Sequence, residues 1–255
     1  MIRTLALIYG LVSYLVFFFT FLYAIGFVGN LFVPKSIDSG DAVPFTQALL
    51  INALLLGVFA VQHSVMARPA FKRWWTRYVA QPVERSTYVL LSSLALILLF
   101  WQWRPMPDLV WSVGDETGRR ALWALFWLGW ALVLVGTFLI NHFDLFGLRQ
   151  VWLYRRGREY SNLGFVTPLL YKVVRHPIML GFIVAFWAAP DMTTGHLVFA
   201  IATTAYILVA LQFEERDLAN FHGKAYEDYR RQVAMLIPFA KKRARKTGRM
   251  QPRSP

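Results

Sequence analysis

No cysteine occurs among the 255 residues, which excludes disulfide bonds, thiolate metal ligands and cysteine nucleophiles. Acidic residues are scarce, with 14 Asp and Glu against 27 Lys and Arg and a formal net charge of +13. No two histidines stand at a metal-ligand spacing, so no metal site is expected. The chain also lacks a Walker loop, a GxGxxG turn after a strand and a Ser-His-Asp arrangement. A soluble nucleotide-binding fold is excluded with them. There is no internal repeat and no low-complexity tract.

What is present is apolar, at 57% of the chain, with charge confined to blocks. That composition belongs to an integral membrane protein of all-α class. Charge-free runs extend from Leu5 to Phe27, Phe45 to Met66, Tyr88 to Trp103 and Ala121 to Ile140. A helix needs about 20 such residues to cross the hydrocarbon core. Two more runs, Ile178 to Ala189 and His196 to Phe213, are split by a tight connection, Pro190-Asp191-Met192-Thr193-Thr194-Gly195. The reading is six passes, or five if the short first arm of this last hairpin falls out. The first run is too long for a signal peptide and no small-x-small cleavage site follows it, so it is an uncleaved anchor.

Basic residues cluster in alternate loops. Arg68 to Arg85 carries five against Glu84, and Asn141 to Pro177 holds Arg149, Arg155, Arg156, Arg158, Lys172 and Arg175. The positive-inside rule then puts both termini in the cytoplasm. The same rule accounts for the net charge without nucleic acid. The run Lys241-Lys242-Arg243-Ala244-Arg245-Lys246 would lie against anionic headgroups of the membrane lipid. Three regions follow: a four-span bundle over 1–140, a catalytic region over 141–239 with a hairpin at 177–213, and a basic disordered tail over 240–255.

Chemistry concentrates at two places. Asn141-His142-Phe143-Asp144-Leu145-Phe146-Gly147-Leu148-Arg149-Gln150 follows the fourth span directly, and is either an interfacial elbow or part of a site in which His142 could act as a base near neutral pH. Arg175-His176-Pro177 opens the hairpin, and Glu214-Glu215 closes it. A crossing and a return bring these clusters to one side of the membrane. Proline at the first helical position leaves free N–H groups for an anion, so the corner suits a zwitterion bearing a carboxylate and an ammonium. The bland alternative is that Arg175 and Glu214 pair and pin the hairpin. His63 and His196 read as hydrogen-bonded helix histidines, and His222 as a loop residue.

Arg175-His176-Pro177-x-x-x-Gly181 followed by Glu214-Glu215-x-x-Leu218-x-x-Phe221-x-Gly223-x-x-Tyr226-x-x-Tyr229 resembles the isoprenylcysteine carboxyl methyltransferase superfamily of membrane enzymes. The resemblance covers about residues 163–238 and implies S-adenosylmethionine as methyl donor. It implicates Phe165, Val166, Tyr171, Arg175, His176, Pro177, Ile178, Met179, Gly181, Glu215, Tyr226 and Tyr229 in cofactor binding. Glu214 would face the reacting centre and, with His142, is a candidate for the base beside the acceptor; Asp144 is a further catalytic candidate. Two departures stand out: Met179 where the family often has Tyr, and Val209-Ala210-Leu211-Gln212-Phe213 where enzymes that esterify a carboxylate carry an Arg. With Asn141 to Gln150 included, the chain is similar to the bacterial members that convert methanethiol, a small volatile thiol, to dimethyl sulfide. Other readings are methylation of a phospholipid or another lipophilic acceptor, a sterol-reductase-like use of nicotinamide, and a non-catalytic NnrU-like membrane protein.

Overall fold

The computed structural model describes residues 1–238; the basic tail expected over 240–255 lies outside them. Among these residues five helices are long and apolar enough to cross a membrane: α1 (Ile2–Gly29), α2 (Phe45–Ala67), α4 (Gln81–Gln102), α5 (Glu116–Leu139) and α9 (Thr194–His222). Between them lie short helices α3 (Pro69–Trp75), α6 (His142–Leu145), α7 (Leu148–Arg155) and α8 (Pro177–Trp187), and α10 (Lys224–Gln232) follows. The protein is a polytopic, all-α membrane protein.

The helices alternate in direction, so their connections gather at two rims. At one rim Asn52 clamps Arg104, donating to its carbonyl at 2.7 Å and accepting from its N–H at 2.8 Å. The buried Trp103 donates to the carbonyl of Ile37 there. The opposite rim holds α3, α6, α7, the start of α8 and α10, and it carries the motifs. α1 and α4 run parallel between the rims, as the contacts Tyr9 to Thr87 and Phe27 to Phe100 require.

Two boundaries differ from the sequence reading. The third span begins at Gln81 rather than Tyr88, because Pro82 at the start of a helix favours initiation while Ser86 and Thr87 are absorbed by contacts to other helices. The Pro190–Gly195 connection is not a simple turn: Asp191–Thr193 forms strand β2, antiparallel to β1 (Leu109–Ser112) of the preceding loop. Arg119 forks onto Asp191 at 2.9 and 2.7 Å, and this hydrogen-bonded cation holds the carboxyl down at about 2.

The first arm of the hairpin is indeed short. Eleven residues of α8 rise about 16 Å, roughly half of a hydrocarbon core. Ala188 to Pro190 then leaves the helix, with Ala188 at φ −85° and ψ 63°, and backbone groups freed among apolar helices need partners. They have them. His196 bonds to the carbonyl of Phe186 at 2.9 Å, Trp111 donates to that of Ala189 at 3.2 Å, and Val113 N–H donates to that of Pro190 at 3.0 Å. The expectation of a hydrogen-bonded His196 is met, with a carbonyl of the broken arm as its partner.

α8 lies along α5 at backbone contact. A Cβ at Gly129 would meet the carbonyl oxygen of Gly181 at 2.7 Å, and one at Gly181 would meet that of Gly129 at 2.6 Å. Small residues at helix crossings in lipid permit this approach. Farther along, Ile178 fills the space over Gly136. This contact fixes the height of the Arg175-His176-Pro177 corner at the motif-bearing rim.

Candidate active site

The corner is built from three chain segments. A 3-10 turn, Leu169–Lys172, delivers the chain to Val174, which bridges in parallel with Ala234. The N–H groups of Arg175 and His176 then donate to the carbonyls of Ala234 and Met235 at 2.8 and 3.2 Å. The C-terminal segment thus forms a wall of the corner. α9 does not stop at Phe213 but runs on to His222, so Glu214 and Glu215 are helical residues about 100° apart in direction. His222 is therefore the last helical residue, not a loop residue; Gly223, at φ 56°, ends the helix after it.

Glu215 shares its face with Leu211 and Ile207, which pack against Leu236 and Met179. Arg175 Nε donates to Glu215 Oε1 at 2.7 Å, and His176 Nε2 stands 3.2 Å from the same oxygen. All three side chains are buried. Arg175 also donates to the carbonyls of Arg230 and Val233. The two charged clusters do meet, but the partner of Arg175 is Glu215, not Glu214. With its fork spent on Glu215 and two carbonyls, Arg175 ties α8, α9 and the C-terminal segment together.

Glu214 points elsewhere. Its side chain is 45% exposed, its nearest basic atom is His176 Nδ1 at 3.9 Å, and its charge reaches the phenols of Tyr88, Tyr171 and Tyr226. Tyr171 is anchored by its hydroxyl to the carbonyl of Gly136, and its own carbonyl accepts from Tyr229. Phe165 packs against His222, Tyr226 and Tyr229, with ring centroids 5.0, 5.8 and 5.4 Å away. Burial pushes the Tyr171 phenol up, and the negative charge of Glu214 adds to it. Burial likewise raises Tyr226, and raises Tyr229 to about 12. These hydroxyls stay protonated and serve as donors. The Tyr226 hydroxyl is fully enclosed and has no partner among the described residues.

The Asn141 to Gln150 segment is an elbow. Asn141, at φ 92°, caps α6 through Asp144 N–H, and Asp144 binds Arg149 at 2.9 Å and Tyr160 at 3.3 Å. His142 is buried, with Nδ1 2.8 Å from Thr137 Oγ1 and Nε2 2.8 Å from Tyr14 Oη, stacked on Phe138. Burial lowers its pKa. Both ring nitrogens are therefore taken, and the imidazole is held neutral as the centre of an aromatic cage.

Two clefts of about 520 Å³ open at this rim. One is polar, lined by Arg175, Gln212, Glu215, Arg216, Asn220 and Met235 among others. The other runs beside the elbow, from Phe138 to Phe143, under Leu163, Gly164 and Val166. The structure thus brings together Phe165, Tyr171, Arg175, His176, Glu214, Glu215, Tyr226 and Tyr229. Val166 is exposed on the second cleft, Ile178 and Gly181 are spent against α5, Pro177 opens α8, and Met179 packs on α9. Gln212, Arg216 and Asn220 were missed; their i, i+4, i+8 spacing ahead of Gly223 is the signal that could have found them. Tyr88, on α4, carried no such signal.

The profile of the NnrU protein family matches residues 49–234. The chain is 65% identical to the methanethiol S-methyltransferase of Mycobacterium tuberculosis, over 93% of this chain and 97% of that protein. It is 58% identical to methanethiol S-methyltransferase 2 of Bradyrhizobium diazoefficiens, over 98% of this chain and 96% of that protein. Nurim of Mus musculus is 30% identical over 67% of this chain and 68% of its own length. No solved structure gives a significant match. The chain belongs to the NnrU protein family, together with the methanethiol S-methyltransferases.

Proposed function

We propose that this protein is a membrane methyltransferase that converts methanethiol to dimethyl sulfide, with S-adenosylmethionine as methyl donor. The observation that carries the reading is the end-to-end similarity to methanethiol S-methyltransferases, at 65% and 58% identity. The corner supports it independently, because it offers a donor cofactor what that molecule needs. Arg175 and Glu215 also line a polar cleft of about 520 Å³, a volume in the range of cofactor sites, and the buried Tyr226 hydroxyl, a donor, has no partner among the described residues.

S-adenosylmethionine, when bound, would supply an electrophilic methyl group on a cationic sulfur. Phe165, Tyr171, Tyr226 and Tyr229 form the aromatic side of its enclosure, and His176 with Glu215 the polar side. Arg175 and Pro177 hold the corner open, with Ile178, Met179 and Gly181 behind them and Val166 at the rim. Glu214 would set a carboxylate near the cationic sulfur, which favours binding of the donor, and the tyrosines would exclude water from it. His142 and Asp144 shape the elbow beside the site. The transfer itself is an in-line displacement governed by placement of the two partners.

A carboxylate acceptor is disfavoured, since Val209 to Phe213 offers no cation one turn before Glu214 to hold it. A small thiol can arrive from the lipid between the helices. Region 141–239 carries the chemistry, on a span bundle formed by 1–140, and the basic motif-bearing rim faces the cytoplasm of the inner membrane. Purified protein given labelled donor and methanethiol should release labelled dimethyl sulfide; labelled phospholipid in its place would reject the acceptor.

A further inference from the structure

Inside the bilayer, α2, α4 and α9 are joined by polar side chains that the corner does not use. The Tyr88 hydroxyl lies 3.1 and 3.0 Å from the two ring nitrogens of His63, and Ser92 Oγ lies 3.2 Å from Nδ1. On the neighbouring helix Tyr206 shares a hydrogen bond of 3.0 Å with Ser64. Phe59 covers one face of the imidazole, with centroids 5.2 Å apart. An ionisable group at this depth is a functional feature by default, since lipid does not tolerate it idly.

The seam leads toward Glu214. Tyr206, Ala210 and Glu214 are spaced by four residues and so share one face of α9, with Asp217 a turn further on, bonded to Arg68 of α2 at 2.9 Å. That face is turned to α2. Glu214 therefore stands two turns above Tyr206 and within electrostatic reach of Tyr88, whose ring is also covered by Arg85 at 5.1 Å. Ala210, between them, is the smallest side chain on this face.

We infer that His63, oriented by Tyr88 and Ser92, is the base that takes the proton of the acceptor thiol, in a site between α2, α4 and α9 below Glu214. This rests on the proposed methyl transfer to methanethiol. The thiolate is the reactive form of the acceptor, so its proton must go to a group beside it. The S–H proton passes to an imidazole nitrogen as the new sulfur–carbon bond forms. The donor's sulfur–methyl bond breaks and its electron pair stays on the departing sulfur. The cation on the donor is thereby replaced by one on His63, which later loses its proton to water. A polar base inside the membrane also explains how an apolar thiol entering from lipid meets one before it meets solvent.

The test compares two acceptors of nearly equal size, ethanethiol and the far more acidic 2,2,2-trifluoroethanethiol, in wild type, His63→Gln and Tyr88→Phe. General-base catalysis contributes about 100-fold or more, so His63→Gln should lose roughly that factor with ethanethiol. With the acidic thiol, already largely ionised, it should lose less than about tenfold. Tyr88→Phe should show the same bias, more weakly. Binding of S-adenosylhomocysteine should be unchanged, which certifies the fold. A further readout needs no turnover: methanethiol added to the protein loaded with S-adenosylhomocysteine should shift one imidazole resonance of labelled histidine, absent in His63→Gln. Equal losses with both thiols, or no histidine shift, would overturn the assignment. If wild type methylates no thiol, the proposed function fails instead. Should His63→Gln lose homocysteine-product binding, Tyr88→Phe alone decides by the same ratio.

Discussion

Arg175 and Glu215, forty residues apart in sequence, meet at 2.7 Å where α8 begins and α9 leaves the membrane. The pair is buried, and the same guanidinium holds the carbonyls of Arg230 and Val233. One side chain thus fastens both arms of the hairpin to the segment that carries Tyr226 and Tyr229. The neighbouring Glu214 is left half-exposed, with its charge acting on three phenols.

Removing one partner of such a pair strands the other charge, a loss of about 3–5 kcal/mol. Arg175→Met should therefore lower the thermal midpoint of the detergent-solubilised protein clearly, and Glu215→Gln should do so too. The double variant Arg175→Met, Glu215→Gln should recover part of the loss. Additive losses in the double variant would mean that the two residues do not act as a unit.

Glu214→Gln should behave differently. This side chain is half-exposed and not paired at short range, so the midpoint should move little. Turnover at subsaturating donor should fall about tenfold or more, through weaker binding of the cationic sulfur, while binding of S-adenosylhomocysteine, which lacks that charge, stays near wild type. Matched losses in turnover and in product binding would assign Glu214 to general cofactor contact.

The convergence of the two clusters was legible from sequence because it follows from counting crossings. Which glutamate meets Arg175 was not. Adjacent helical residues differ by about 100° in direction, and the choice depends on α9 running unbroken to His222 past the polar residues after Phe213. The elbow's caps at Asn141 were readable, but its imidazole looked free because the partners, Tyr14 and Thr137, come from helices whose rotation no local pattern gives. Leu109 to Ser112 carries no turn or alternation signal, and it becomes a strand only because Asp191 to Thr193 arrives beside it. Similarly, His63 meets Tyr88 and Ser92 of another span, which no local pattern gives.

His142 provides a pH-dependent stability term. Burial holds its folded pKa below the ordinary value of 6.5, so the unfolded chain binds a proton more readily. Its contribution is fully present above about 6.5 and is lost as pH falls through the folded value. The thermal midpoint of wild type should drop on going from pH 7.5 to 5.5, and His142→Gln should be less stable at pH 7.5 but flatter across that range. A variant that keeps the full wild-type slope would show that other groups set it.

Acceptor choice offers the most direct measurement. Purified protein in lipid, with donor labelled in the methyl group, should be given methanethiol, longer alkyl thiols and a prenylcysteine in turn, with headspace and lipid fractions counted separately. Label should appear in dimethyl sulfide, fall off as the alkyl chain outgrows the site, and be absent from the prenylcysteine and from phospholipid. Label in a prenylcysteine ester or a phospholipid, with none in dimethyl sulfide, would contradict the proposed thiol methylation.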